Sequence, residues 1–547
     1  MHDSSMTINR QQTVQECDII VVEKSKNASD YVQLATQLFT YKNNRNGVFA
    51  TYARSNDKVV TYEMLKSGTF FSSEHTHGTS HLFICDELIY AVMDQIGLDP
   101  IYRYEDATLL IYSISMQRIV DLIKSMGITL ALNEEYVAYY LYAKVDYITC
   151  PDYSTTIFKK ITKMAGGEAQ TYRISDNHTN FKRYGLLNED YKNHKRYPIS
   201  LAVFLDQASY LLRNNIKNTP QKIAVSLSSG IDSNYLLSLL KQENKEIYAL
   251  SNVYKNDTLA DESKLIREIV EMAQIESFFF DCSDHSMIDI SLPNVYHQPF
   301  QGWYGTAFYR FAEKLQEIKV DNIVYGFGPD ELCSMSFPQY KNTYFQHPFM
   351  QKTFINDFKI KQFIKQKIMR QNEQCFLPVE LRSLMSVNLI ENAIWLSSVY
   401  GRYGSNVCLP YYSVPFIQLL LQYDWRALKE ESKYAHKTKW LFYSMAHMCD
   451  GFEKILKKPI TNGEITDQFA LDVMDRQKGF IQECFENSRL VELKIVDRKK
   501  LHVFLTACFY DYNRFVYSYE GIRREYDSIF YRWITMEHFL KSVQLSL

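Results

Sequence analysis

The chain carries no excess of either charge. Its 547 residues hold 61 basic and 63 acidic side chains, a formal net charge of −2, whereas a polyanion binder normally shows a basic surplus. General nucleic-acid affinity is therefore not expected. Long apolar runs are missing too. Ile19–Val22 and Leu109–Ile111 are strand-sized, far short of the ~18 uninterrupted apolar residues of a membrane span. The opening Met-His-Asp-Ser-Ser-Met lacks a basic segment followed by an apolar one, so no secretory signal is expected. The ten cysteines never form a Cys-x-x-Cys pair. Such scatter argues against a disulfide framework or a zinc site and fits reduced thiols in a cytoplasmic protein. No internal repeat or low-complexity tract occurs.

What is present is ordinary globular composition, 46% apolar and 23% charged, in a chain too long for one hydrophobic core. Up to about Tyr172 the sequence reads as short strands with few helices, for example Ile19–Glu23, Gly47–Tyr52, His81–Asp86 and Gly167–Ile174. Residues 176–200 are rich in Asn, Lys and Tyr without periodicity, and read as a linker. From 201 the rhythm changes. Strands at Lys222–Leu227, Glu246–Val253, Glu276–Asp281 and Asn322–Gly326 alternate with helices at Ile231–Lys241, Asp261–Ala273 and Thr306–Ile318. Repeated β-α units imply a parallel sheet with helices on both faces, and ligands beyond the carboxyl ends of its strands. From Lys341 onward the pattern is helical, without obvious strands.

Two stretches carry the chemistry. In KIAVSLSSGIDSN (Lys222–Asn234) a strand ends at Leu227, a small-residue loop Ser228-Ser229-Gly230 follows, and a helix opens with Asp232 and Ser233 in its first turn. Small residues permit close backbone approach, and a helix amino end offers unpaired N–H groups, so phosphate binds there. Asp232 suits phosphate if Mg²⁺ bridges them; by itself it is equally a dipole partner in a plain strand-turn-helix. The second stretch, NIVYGFGPDELCSM (Asn322–Met335), presents Asp330 and Glu331 after a strand. If the first and fourth strands flank the switch point, Asp232 and Asp330 converge on one crevice.

These residues resemble a known family. SSGIDS is similar to the SGGxDS pyrophosphatase loop of the ATP-pyrophosphatase superfamily, and GFGPDE to the GEGADE stretch of asparagine synthetases. Asp261-Glu262 matches that family's acidic pair after the second strand, and Tyr403–Ser413 (YGSNVCLPYYS) parallels H-G-x-E-x-R-x-P-F-L-D. Upstream, DQIGLDPIYRY (Asp94–Tyr104) and STTIFKKITKMAGGEAQTYRI (Ser154–Ile174) resemble stretches of the family's glutamine-hydrolysing domain. The resemblance implies an α/β protein. An N-terminal α+β glutaminase-like sandwich (1–175) and the linker precede a doubly wound parallel-sheet ATP-pyrophosphatase domain with a helical C-terminal region (201–547). ATP and Mg²⁺ are the implied cofactors. The implied nucleotide contacts are Ser226, Leu227, Ser228, Ser229, Gly230, Ser233, Ser251 and Gly326, with Asp232 and Asp330 on the metal and Lys457, Lys458 and Glu331 as catalytic groups.

Departures from the pattern narrow the function. The family's glutaminases carry a Cys after the initiator Met, because the free α-amine assists the thiolate; His2 stands there, and the first cysteine is Cys17. The resemblance therefore points to relatives whose amine comes with the substrate, namely lasso-peptide macrolactam synthetases. The alternatives are a β-lactam-type synthetase of a small amino-carboxylate, an ammonia-dependent asparagine synthetase and an inactive nucleotide-binding homologue. The expected substrate is a peptide or small amino-carboxylate, and the expected partner a leader peptidase or precursor-peptide recognition protein. Phe327 occupies the position between the two glycines where relatives carry a proton-transferring residue, and Ile460 stands where they carry Lys. Ser229 replaces a loop glycine, and Cys408 and Ser413 replace the Arg and Asp of the helical-region motif. Isolated histidines such as His285 and His297 are expected to be structural. Glutamine supplied to the purified protein should release no glutamate, and His2→Cys alone should not confer release, because an oxyanion hole is also required; a glutamate assay decides.

Overall fold

The computed structural model describes residues 15–24, 41–43, 48–52, 80–85, 88–142, 154–184, 197–255, 261–282, 305–329, 387–437, 439–447, 478–510, 532–541 and 543. His2, His285, His297, Asp330, Glu331, Lys457, Lys458 and Ile460 lie outside them. Two compact units form, Met1–Ala131 with Tyr153–Asn188, and Leu132–Asp152 with Glu189–Leu547.

In the first unit the central strands are buried along almost their whole length, as at Leu109–Ser113 and residues 89–92, while Tyr102–Glu105 and Ile161–Lys163 alternate between buried and more exposed positions. The strands are β1 (Gln15–Glu23), β2 (Tyr41–Asn43), β3 (Val48–Tyr52), β4 (His81–Cys85), β5 (Leu88–Val92), β6 (Tyr102–Glu105), β7 (Leu109–Ser113), β8 (Ile161–Lys163), β9 (Glu168–Arg173) and β10 (His178–Arg183). Pairing is antiparallel, in the order β10-β9-β5-β4-β1-β7-β6-β8, with β3 also on β1 and β2 on β3. β1 joins two halves: Gln15 and Glu16 pair with β4, while the strand from Ile19 to Glu23 pairs with β7. Ile20 and Val22 of β1 share one core with Leu82, Ile84, Ile89, Leu110 and Tyr112. Helix α1 (Met116–Ser125) packs on β7 and buries Ile119, Val120 and Ile123.

The DQIGLDP stretch proves to be a turn built around one carboxylate. Asp94, fully buried, accepts the N–H groups of Ile96 (2.9 Å), Gly97 (2.8 Å) and Asp99 (2.7 Å). Burial still pushes its carboxyl above the usual range against those hydrogen bonds. Gly166 lies so close to this turn that a Cβ would stand 2.6 Å from the Ile96 carbonyl carbon. Within the stretch read as a linker, His178–Arg183 form β10 on β9, after a turn with Asn177 at φ 55°. The strand escaped sequence reading because it is solvent-facing, with Phe181 62% exposed, so no apolar alternation marks it.

The second unit holds a parallel sheet of β11 (Lys222–Ser226), β12 (Glu246–Val253), β13 (Glu276–Asp281), β14 (Asn322–Val324) and β15 (Asn406–Cys408), in the order β13-β12-β11-β14-β15. Its central strand is continuously apolar at Ile223, Ala224 and Val225, all 0% exposed, as expected where helices cover both faces. The chain runs outward from β11 to β13, then crosses to β14 on the other side of β11. The switch point therefore lies between β11 and β14. β15 corrects the expectation of a strand-free region after Lys341. It is only three residues long, and its partner β14 lies some 80 positions back, so nothing local announces it.

Around this sheet the helices include α2 (Glu134–Tyr142), α3 (Leu201–Lys217), α4 (Ile231–Gln242), α5 (Ser263–Ala273), α6 (Gly305–Ile318), α7 (Val387–Arg402), α8 (Val414–Gln422), α9 (Trp425–Glu431), α10 (Trp440–His447), α11 (Lys478–Glu486), α12 (Arg489–Glu492) and α13 (Arg498–Tyr510). In α3, buried Phe204, Leu205, Ala208, Leu212 and Ile216 recur at helical spacing and give it one apolar stripe. α3, α4 and α10 pack together, as do α6 and α7. No helix among the described residues is long and apolar enough to cross a membrane.

Near the carboxyl end of the chain, Glu537 is 0% exposed and accepts the Ser488 hydroxyl and the Arg489 N–H (2.9 Å) at the start of α12. Burial raises its carboxyl to about 7. A folded-state pKa above the unfolded one stabilises the protein fully below the ordinary glutamate range and is lost as pH rises toward 7. Unfolding stability of this region should therefore fall by on the order of 3 kcal/mol between pH 4.5 and 7, and Glu537→Gln should flatten that slope in denaturation curves taken across the range.

Candidate active site

β11 delivers the loop to the switch point. Leu227 N–H bonds Leu250 O at 2.9 Å, which ties the strand's end to β12. Ser228, Ser229 and Gly230 turn the chain, and Gly230 (φ −70°, ψ 154°) is the N-cap of α4. Ser229 is not among the residues with positive φ, so the extra Cβ at a position where relatives have glycine is accommodated without backbone strain. Beneath the loop Asn234, 0% exposed, donates to Ser228 O (2.9 Å) and Gly230 O (2.7 Å). Ser233 Oγ accepts the Ser228 N–H at 3.1 Å, Ser228 Oγ accepts the Gly230 N–H at 3.2 Å, and the two hydroxyls share a hydrogen bond at 3.1 Å.

β14 comes up against this loop. At Gly326 a Cβ would lie 3.0 Å from Ser233 N and 3.2 Å from the Asp232 carbonyl carbon. A side chain here would force the first turn of α4 to give by a few tenths of an ångström, so glycine is what lets the end of β14 pack this closely. Gly328, with φ +118°, continues the turn toward Asp330. Between these glycines Phe327 is half-buried and stacks on Tyr325, with centroids 5.3 Å apart and planes at 14°. Tyr325 is buried, shares a hydrogen bond with Tyr400 at 2.5 Å, and stands edge-on to Phe308. Burial drives both phenols well above their ordinary range. None of these rings carries an acid or base that titrates near neutrality.

Asp232 meets a cation that sequence reading missed. Lys439, just before α10, donates from Nζ to Asp232 Oδ2 at 2.5 Å, and both side chains are about one-fifth exposed, at 21% and 17%. Tyr411 Oη donates to Asp232 O at 2.8 Å. The motif Tyr403–Ser413 thereby acquires a structural role. It contains β15, Tyr325 N–H bonds Cys408 O at 3.0 Å, and Asn215 of α3 donates to Ser413 Oγ at 2.7 Å. Burial pushes the Cys408 thiol up to about 11, so it stays protonated and is no substitute for a charged arginine. In the first unit Cys17 and Cys85 lie within β1 and β4.

Ser226, Leu227, Ser228, Ser229, Gly230, Asp232 and Ser233 thus belong to one strand-loop-helix. The structure brings Gly326 against that loop, and Ser251 lies on β12, the strand beside β11. Ser229 Oγ, Ser251 Oγ and Asn252 Oδ1 are buried without a hydrogen-bond partner, an arrangement that a polar ligand would satisfy. Among the described residues no three His, Cys, Asp or Glu side chains cluster as a metal site. Asp232 in the first turn of α4 still fits Mg²⁺, which commonly takes one or two carboxylates together with substrate phosphate oxygens.

Residues 216–447 match the protein-family model described as Asparagine synthase. That stretch is an asparagine synthase domain. It contains the loop, Lys439, Asp330 and Glu331, whereas Lys457 and Lys458 lie beyond it. No curated protein matches the chain. Among solved structures, the chain is similar to the NH3-dependent NAD synthetase from Campylobacter jejuni, at 14% identity and a TM-score of 0.21 over 36% of this chain and 96% of that one. It is also similar to the U34-tRNA thiolase NcsA from Methanococcus maripaludis, at 14% and 0.20 over 40% and 83%. The glutamine phosphoribosylpyrophosphate amidotransferase from B. subtilis matches at 9% and 0.16 over 58% and 71%. The asparagine synthase domain indicates an ATP-dependent carbon–nitrogen ligase that forms an amide through an adenylate. Gly326→Ala should displace the first turn of α4 by a few tenths of an ångström and lower ATP–pyrophosphate exchange by roughly ten-fold, less than the hundred-fold loss of a misplacement of about 1 Å, while the melting temperature changes little.

Proposed function

We propose that the chain closes an amide within a single peptide, activating a side-chain carboxylate with ATP and joining it to an amine on the same molecule, as a macrolactam synthetase of the lasso-peptide type does. The observation that carries this reading is Phe327. Stacked on Tyr325 between Gly326 and Gly328, it sets an apolar ring beside the loop at a position where relatives carry a proton-transferring residue, which suits a bulky peptide better than ammonia or free aspartate. The position of Cys17 and Cys85 within strands agrees with an amine that arrives with the substrate. A leader peptidase or a precursor-peptide recognition protein is the partner such a substrate calls for.

The chemistry has two steps. The substrate carboxylate attacks the α-phosphorus of ATP, forming an acyl-adenylate and breaking the bond to pyrophosphate. The substrate amine then attacks the acyl carbon, and AMP leaves as the amide forms. Ser228, Ser229, Gly230 and Ser233 bind the pyrophosphate at the amino end of α4, where partial positive charge favours an anion. Lys439 is close enough to Asp232 to balance charge as pyrophosphate separates. Asp232, together with Asp330 from outside the described residues, would hold Mg²⁺, which would further neutralise phosphate charge. Phe327 takes no proton, so its share is to position the chain and exclude water. Holding amine and carboxylate in one pocket contributes through effective molarity.

The test is to incubate the protein with ATP, Mg²⁺ and a linear peptide bearing a free amino end and an internal Asp or Glu. Loss of one water from the peptide, with one AMP and one pyrophosphate and no ADP, is expected without ammonia or glutamine. Asp232→Asn should abolish AMP formation while leaving the fold intact, and Lys439→Ala should lower it at least ten-fold. AMP formed only with free aspartate and ammonium overturns the peptide reading; absence of AMP with every amine-bearing carboxylate overturns the enzyme.

A further inference from the structure

Each amide of the phosphate loop already has an internal acceptor. Two of the acceptors are hydroxyls, Ser233 Oγ for Ser228 N–H and Ser228 Oγ for Gly230 N–H. They are neutral, and a hydroxyl can rotate and become a donor to phosphate. The third is different. Ser229 N–H donates at 2.9 Å to Oε2 of Glu262, a residue 33 positions away. Glu262 is the N-cap residue of α5 but makes no side-chain cap there. Asp261 does that work instead, accepting Ser263 N–H at 3.1 Å and the Ser263 hydroxyl at 2.9 Å. The Glu262 side chain is thereby left to reach across to the β11–α4 loop, where Ser229 Oγ is buried without a hydrogen-bond partner.

We infer that Glu262 is a resident anion of the phosphate loop, a carboxylate seated on the Ser229 amide that a pyrophosphate oxygen takes during the reaction. This rests on the loop's being the pyrophosphate site of the proposed function. Two anions cannot share one N–H donor, so nucleotide entry requires the carboxylate to leave Ser229. Its departure uncovers both the amide and the unpartnered hydroxyl. After adenylation the carboxylate returns to the amide, and like-charge repulsion drives pyrophosphate out. Glu262 is therefore a positioning residue that sets when the loop is open; it touches no reacting atom.

The experiment measures binding of inorganic pyrophosphate by calorimetry, in metal-free buffer at low salt, to the wild-type chain and to the Glu262→Gln and Glu262→Ala variants. Removing the competing charge should tighten binding in both variants by roughly ten-fold, equivalent to about 1.4 kcal/mol, and added salt should shrink the gap. Pyrophosphate should also become a stronger product inhibitor of both. A brace that merely shapes the loop gives another pattern: Glu262→Ala binds more weakly while Glu262→Gln, which keeps an acceptor, matches the wild type. That pattern, or equal affinity in all three proteins, overturns the inference and leaves the proposed function standing. No binding by any of the three, with Mg²⁺ added as well as without it, overturns both.

Discussion

Where β14 ends, the backbone of Gly326 runs against the first turn of α4, so close that a Cβ would stand 3.0 Å from the Ser233 nitrogen. This contact fixes the spacing between two strand ends that are about a hundred residues apart in sequence. The loop Ser228–Gly230 comes from one side of the switch point and the turn leading to Asp330 from the other. Parallel sheets separate neighbouring strands by a full helical connection, so such a site can form only after long-range pairing is complete. The apolar run through β11 drives that pairing, and the glycine at the end of β14 lets it close.

On this frame, charge is arranged in layers. The amino end of α4 offers partial positive charge, Asp232 adds a carboxylate, and Lys439 answers it from the segment before α10. Glu262 contributes a second carboxylate on the loop itself. A partly buried ion pair is screened less than one in open water, so under the proposed function the balance among these groups changes sharply when pyrophosphate enters. The same loop is braced from below by neutral contacts, Asn234 to two carbonyls and Tyr411 to a third. These hold the backbone while the charges rearrange.

Much of this was legible in the sequence, and the exceptions share a cause. The strand-loop-helix at Lys222–Asn234 and the alternation that follows announce themselves by local periodicity and small residues. The order with β11 beside β14 follows from topology. Lys439 does not announce itself: it follows Lys433 and Lys437, and only tertiary structure sets it against Asp232. Asn234 looks like any polar helix residue until its burial is known. Glu262 was visible as half of an acidic pair, but its partner at Ser229 was not. Strands β10 and β15 failed for opposite reasons, one because its side chains face water and the other because its three residues depend wholly on a distant neighbour. Asp330, Glu331, Lys457 and Lys458 fall outside the described residues.

The rings around Tyr325 have a consequence for how the reaction responds to acidity. Tyr325 and Tyr400 hold their protons far beyond the physiological range, Phe327 has none to exchange, and the Cys408 thiol beside β14 is silent below about 11. None of these groups changes charge between mild acid and mild base. Under the proposed function the ionisation that governs amide closure belongs to the incoming amine, and two substrates whose amines differ in basicity give two different acidity profiles with one and the same protein.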